Sequence, residues 1–229
     1  MKKKKIIIGL SGGLDSTTLL GWLLSQDYEV HCCIFQYGSK HGILENKAAT
    51  AVIQYYQLNK QHSIYPYYFK VDNIFSNSNS TLMQANTNTI PQGHYAADNM
   101  KSTVVPGRNL IFLSIIASLA ETVGATEIAL GVHAGDHFIY PDCRPAFIEA
   151  AKKCIELSSD NMVTIITPFL HYTKGDIVRL GNELDIKIPF HLTRTCYTSD
   201  EVACGKCGSC IERLEAFSEN NIQDTIQYA

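Results

Sequence analysis

The chain has 229 residues, 45% of them hydrophobic and 18% charged, with a formal net charge of −3. At about 150 residues per domain this is one large domain, or one domain with a small appendage. Such apolar content excludes a disordered chain, and the charge supplies no global basic field to recruit nucleic acid. No stretch approaches the roughly 18 apolar residues of a membrane span. The basic run Lys2–Lys5 reads as a solvated stub, and Ile6–Leu10 behind it is too short for a signal-peptide core, so a cytoplasmic protein is expected.

Ile6, Ile7, Ile8 and Leu10 form an apolar run without alternation, as in a buried parallel strand. A glycine-rich turn follows, then a helix over Thr17–Ser25, a strand over Tyr28–Tyr37 and a helix over Leu44–Leu58. Ile64–Val71 reads as a third strand, and Pro66 places it at an edge. The alternation resumes with a helix at Asn109–Val123, a strand at Glu127–Val132 and a helix near Ala146–Leu157. A strand at Val163–Ile166 and a helix at Thr173–Leu184 complete it, the last opened by a Thr173/Asp176 capping box. Strands alternating with helices predict an α/β fold, a Rossmann-like parallel sheet with helices on both faces.

Two stretches break the pattern. Residues 76–103 are rich in Asn, Ser and Thr, and a connection of that length predicts a mobile lid. The second, from Phe190 onward, holds four of the eight cysteines. The organisation expected is therefore an α/β domain over 1–189 and a small metal-binding segment over 190–229.

Leu10-Ser-Gly-Gly-Leu-Asp-Ser16 joins the first strand to the first helix. Backbone N–H groups opening a helix bind anions, and the glycines permit close approach of phosphate oxygens. Ser11 and Ser16 add hydroxyl donors. Asp15 would repel phosphate unless a divalent cation intervened, which assigns it to Mg²⁺. The loop lacks the lysine of a Walker motif and is not a dinucleotide fingerprint.

Cys196, Cys204, Cys207 and Cys210 are spaced C-x7-C-x2-C-x2-C. Four thiolates close a tetrahedral shell with no open position, so one structural Zn²⁺ is expected per chain. An iron–sulfur cluster also accepts four cysteines. Cys32, Cys33, Cys143 and Cys154 read as inert thiols.

The Ser-Gly-Gly-Leu-Asp-Ser loop resembles that of the ATP pyrophosphatases, which adenylate a substrate oxygen at the α-phosphorus. Paired with the cysteine cluster, it resembles the 7-cyano-7-deazaguanine synthase family over almost the whole chain. Tyr37-Gly-Ser-Lys-His41, Val105-Pro-Gly-Arg-Asn109, Thr173-Lys174 and, most specifically, Tyr140-Pro-Asp-Cys-Arg144 support it. Upstream of that last stretch many members carry a Cys and a Ser-Gly pair, whereas this chain reads Gly131-Val-His-Ala-Gly-Asp-His-Phe-Ile139.

The resemblance implies an adenine nucleotide alpha hydrolase-like fold, and a ligase acting on 7-carboxy-7-deazaguanine, ammonia and ATP. Adenylation makes the carboxylate an electrophile, ammonia gives the amide, and a second adenylation permits dehydration to the nitrile. Ammonia would come from outside the chain, and the assembly would be a homodimer without nucleic-acid or membrane partners. Leu10, Ser11, Gly12, Gly13, Asp15, Ser16 and Arg108 would bind ATP, with Asp15 and Lys174 catalytic. His41, Asp136, Tyr140, Asp142 and Arg144 would contact the substrate. Two rivals are an ATP pyrophosphatase that thiolates a tRNA base and a zinc-ribbon binding module on an inactive nucleotide fold. The first needs a basic surface and a free reactive cysteine pair.

Overall fold

The computed structural model describes residues 3–58 and 62–229. Five strands, β1 (Lys5–Gly9), β2 (Glu29–Gln36), β3 (Ile64–Lys70), β4 (Glu127–Ala129) and β5 (Thr164–Ile166), form one parallel sheet in the order β3-β2-β1-β4-β5. Among the described residues six α-helices connect and cover them: α1 (Leu14–Ser25), α2 (Gly42–Leu58), α3 (Arg108–Val123), α4 (Pro145–Ser158), α5 (Lys174–Glu183) and α6 (Gly208–Glu219). The expected α/β sheet with helices on both faces is what forms. Strand residues alternate between two cores, as a pleated sheet requires. Ile6, Ile8, Cys32, Ile34 and Ala129 pack with α1, α2, α5 and α6. Ile7, Cys33, Phe35 and Ile128 pack with α3 and α4 on the other face.

Several elements differ from expectation at their ends. The first helix begins at Leu14, directly on the glycine-rich loop, and the third at Arg108. β4 stops at Ala129, three residues early, because the chain then turns to line a cleft. Lys2 lies outside the described residues, but the rest of the basic run is not a free stub. Lys5 is the first residue of β1 and donates to Val123 O at 2.7 Å, while Lys4 pairs with Glu127 at 2.7 Å. Burial of the strand beside them draws these ammonium groups onto the sheet's lower rim.

The 76–103 segment is folded back on the molecule. Ser80 Oγ donates to Thr103 O at 2.9 Å, Leu82, Met83 and Met100 are buried, and Gln92 bridges to Cys207. The C-terminal segment shares the main core through Phe190, Ala216 and Phe217. Among the described residues no helix is long and apolar enough to cross a membrane.

Candidate active site

The strand order reverses between β1 and β4, and crevices at such switch points are where open α/β sheets bind ligands. A cleft of about 290 Å³ lies there, lined by the glycine-rich loop, the residues following β4, and the heads of α3 and α5. Leu10 anchors the loop, buried and donating its N–H to Cys33 O at 2.8 Å. Gly12 has φ +77°, and a Cβ there would lie 2.4 Å from the Ala49 nitrogen. Only glycine fits. Gly13, by contrast, is extended (φ −74°) and caps α1, so of the two loop glycines Gly12 alone is left-handed. Ser11 Oγ accepts from Gly13 N at 3.2 Å and lies 3.0 Å from Ser16 Oγ. The first-turn N–H groups of α1 thus open into the cleft, where the helix dipole favours an anion.

A buried charge cluster borders this loop. The Thr173/Asp176 capping box starts α5 and aims Lys174 inward, with its Nζ 2.5 Å from Glu212 and 3.4 Å from Asp15. Burial alone would push the Lys174 ammonium down. The carboxylates of Asp15, Glu212 and Asp136 outweigh it and hold the group above the ordinary lysine value. Asp136 accepts from Tyr95 Oη at 3.1 Å and from the His133 N–H at 3.3 Å. His133 is 1% exposed; its Nδ1 accepts from Gly135 N, and its Nε2 has no hydrogen-bond partner. That Nε2 lies 3.8 Å from Asp15 and 3.6 Å from Asp136. Asp15 Oδ1 is likewise buried without a partner. An orphaned carboxylate oxygen beside an anion-binding loop fits a bound cation.

Aromatic side chains line the opposite end. Arg108 heads α3 with its guanidinium 5.7 Å from the Tyr37 ring centroid. Asp142 accepts from the Asn109 N–H at 3.0 Å and so caps α3. Tyr140 is buried, its hydroxyl within 3.0 Å of Thr103 Oγ1 and 3.1 Å of Tyr197 Oη. His41 is also buried, which lowers its pKa and keeps the ring neutral. Of the residues singled out in the sequence, Arg144 stands apart. It caps α4 on the exposed side, donates to His137 O at 3.0 Å, and does not line the cleft. The short turn at Pro141–Cys143 carries it outward.

Sequence reasoning missed four cleft-side participants: Glu212, His133, Tyr95 and Tyr197. Glu212, Tyr95 and Tyr197 are each defined by a partner distant in sequence, so no local motif marks them, whereas His133 bonds locally to Gly135 and Asp136. His133 alone carried a hint, as a departure from the family pattern next to Asp136.

The four clustered cysteines can hold a metal ion. Their sulfurs lie within 4.8 Å of one another. Cys204 Sγ accepts from the N–H groups of Lys206 (3.4 Å) and Cys207 (3.3 Å), and Cys196 Sγ from that of Cys204 (3.3 Å). Such donors stabilise thiolates, the ligating form. Gly205, at φ +68°, makes the tight turn between ligands. Arg194 ties the cluster to the loop. Its backbone N–H donates to Gly12 O at 2.8 Å, and its guanidinium holds the carbonyls of Thr198, Asp200 and Glu201 within the seven-residue span.

The sequence profile of the family described as "Queuosine biosynthesis protein QueC" matches residues 5–221. The chain belongs to the QueC family. Relatives named 7-cyano-7-deazaguanine synthase include one from Pseudoalteromonas atlantica, 41% identical over 98% of this chain and 99% of its own. Another, from Methanoregula boonei, is 41% identical over 98% and 99% of the two chains. A solved structure of NMN synthetase from Francisella tularensis is similar in fold, with TM-score 0.50 and 14% identity, covering 96% of this chain and 79% of that one. QueC membership therefore extends over both the sheet with its glycine-rich loop and the cysteine segment.

Proposed function

We propose that the chain converts 7-carboxy-7-deazaguanine, ammonia and ATP to 7-cyano-7-deazaguanine, the reaction for which its relatives are named, in queuosine precursor synthesis. The observation that carries this reading is one cleft in which an anion-binding loop, a charged lysine and an aromatic-walled recess adjoin. The loop N–H groups and serines hold the pyrophosphate portion of ATP. Asp15 holds Mg²⁺, which when bound offsets phosphate charge. Lys174 stabilises charge developing on phosphate oxygens as the substrate oxygen attacks the α-phosphorus. Asp136, Tyr140 and His41 border the space left for the deazapurine. One site serves both adenylations, first of the carboxylate and then of the amide.

Structural zinc is the ion we assign to the four cysteines, which leave no position open for catalysis. A thiolation activity finds no support in the cysteines. The four are mutually clustered, and burial pushes the cleft thiol Cys33 up to about 12 and Cys143 above its ordinary value. The family resemblance also implies a homodimer, which light scattering on the purified protein tests.

The deciding experiment is mass spectrometry of a reaction containing the protein, 7-carboxy-7-deazaguanine, ATP, Mg²⁺ and ammonium. The nitrile together with AMP is expected. AMP without the nitrile would keep adenylation and change the acceptor. Neither product from a folded, metal-replete sample would make the chain a binding module.

A further inference from the structure

Lys174, Arg194 and Arg108 line the cleft; Arg194 is engaged by the three carbonyls already described, and Lys174 is paired within the protein. Lys174 lies between Glu212 and Asp15. Arg108 forms no ion pair among the described residues; its side-chain hydrogen bond runs from Nε to Asn109 Oδ1 at 3.2 Å. Asp142, in the cleft wall, spends Oδ2 on the Asn109 backbone N–H. Half-buried in the cleft wall, this guanidinium feels Asp142 only through space, and an anion arriving with a ligand would supply the direct ion-pair partner it lacks.

The ATP phosphates already have receptors at the other end, in the α1 N-terminus, Ser11, Ser16 and Lys174. Around Arg108 the surroundings are aromatic instead. Tyr37 lies under the guanidinium, and Phe112 meets Tyr37 edge-on with centroids 5.6 Å apart. His41, 2% exposed, turns Nε2 toward Tyr37 Oη (3.4 Å) and Glu45 (3.6 Å), while its Nδ1 is buried with no partner. A planar heteroaromatic acid meets all three demands: ring against the aromatic wall, a polar ring substituent toward His41, and carboxylate on the fork of Arg108.

We infer that Arg108 is the receptor for the carboxylate of the acceptor substrate, in place of the nucleotide role that the family resemblance implies. This rests on the reaction proposed above, and it splits that reaction in two. In the first half, a carboxylate oxygen bonds to the α-phosphorus as the bond to pyrophosphate breaks. Ammonia then bonds to the acyl carbon, AMP leaves with the C–O electron pair, and the surplus protons pass to solvent. In the second half the neutral amide oxygen bonds to the α-phosphorus of a second ATP as the bond to pyrophosphate breaks, and loss of AMP with the C–O electron pair and of the two N–H protons leaves the nitrile. Only the first half presents Arg108 with an anion.

The test assays Arg108→Met and Arg108→Lys on the acid and, separately, on the synthetic 7-amido intermediate, with direct titration of the acid onto each protein. On the acid, kcat/KM of Arg108→Met should fall about ten- to a hundredfold, the worth of a charge-assisted pair, with matching loss in the titration. On the amide, which keeps a carbonyl acceptor but carries no charge, the loss should be at least about fivefold smaller than on the acid, with KM for ATP unchanged. Arg108→Lys keeps the charge without the fork and should fall between, which keeps the test decisive where the Met variant does not fold. Equal losses on acid and amide, or a raised KM for ATP, overturn the assignment alone. Wild-type protein that turns over neither compound overturns the parent reading and this one with it.

Discussion

The glycine-rich loop and the cysteine segment are both irregular stretches that must be held to tight geometry, and they achieve it by different physics. The loop is suspended from apolar structure. β1 and α1 on either side of it are buried almost completely, and Leu10 and Leu14 are at most 1% exposed. Asp15 Oδ1 is therefore left without a protein partner, beside the helix N-terminus that faces the cleft. The cysteine segment has few apolar side chains and is held by polar ones instead. Arg194 collects three carbonyls of the x7 span. Arg213, 0% exposed, donates to both Asp224 oxygens and to Thr193, Thr195 and Phe190. Order borrowed from a hydrophobic core leaves polar atoms available for chemistry, whereas order built from polar atoms uses them up.

The comparison predicts that damage to the two regions will read out differently. Asp15→Ala removes a ligand-facing carboxylate from an apolar-supported loop. AMP formation should drop by more than about a thousandfold, roughly 4 kcal/mol of transition-state stabilisation, with no loss of melting temperature. Normal turnover would refute the loop assignment. Cys207→Ser attacks the other kind of order. Elemental analysis should show the metal lost, because binding free energy in a closed four-sulfur site is folding free energy. Limited proteolysis should then cut first between Cys196 and Cys204, while the sheet persists. Retention of one metal equivalent would break the ligand set.

Arg213→Ala tests the polar scaffold without touching a sulfur. Deleting one partner of a buried ion pair strands the other, and the cost should be about 3–5 kcal/mol in denaturant unfolding. The sign of its pH dependence follows from Asp224. Burial raises that carboxyl, but the Arg213 and Tyr228 hydrogen bonds more than reverse it and hold it below the ordinary range. A carboxylate depressed in the folded state contributes stability above its unfolded pKa, and loses it as pH falls through the folded value. Wild-type stability should therefore decline in acid more steeply than that of Arg213→Ala, and parallel acid profiles would contradict the pairing.

What the sequence made legible follows the same division. The sheet was readable because buried strands are continuous apolar runs, as in Ile6–Ile8. The α5 start was readable because Thr173 and Asp176 bond to each other across three residues. Cysteine spacing was readable because the ligands are close in sequence. The charge cluster was not. Glu212 meets Lys174 across 38 residues, and Tyr95 reaches Asp136 from an Asn- and Ser-rich stretch with no periodicity. Arg144 sat correctly in a motif, yet one turn of chain rotated it to the surface. Local pattern encodes elements and their caps, while a site assembled at a switch point is encoded in the packing of distant helices.

Lys174 and Glu212 are where the two regions meet, and the smallest predicted effects test that junction. Lys174→Ala should lower turnover by at least about tenfold, or 1.4 kcal/mol; an unchanged rate would return the residue to a structural role. Glu212 stands on α6, the helix launched from Cys207, and its carboxylate holds the lysine that faces the loop. Glu212→Gln keeps the shape and an acceptor but removes the charge, leaving Lys174 to the carboxylates of Asp15 and Asp136. Turnover should fall by about three- to tenfold, with the metal retained, since α6 packing is unchanged. Because both substitutions act through one contact, combining Glu212→Gln with Lys174→Ala should cost little more than Lys174→Ala by itself. Full additivity would mean that Glu212 serves α6 rather than the lysine, and that the cysteine segment supports the cleft without positioning any group inside it.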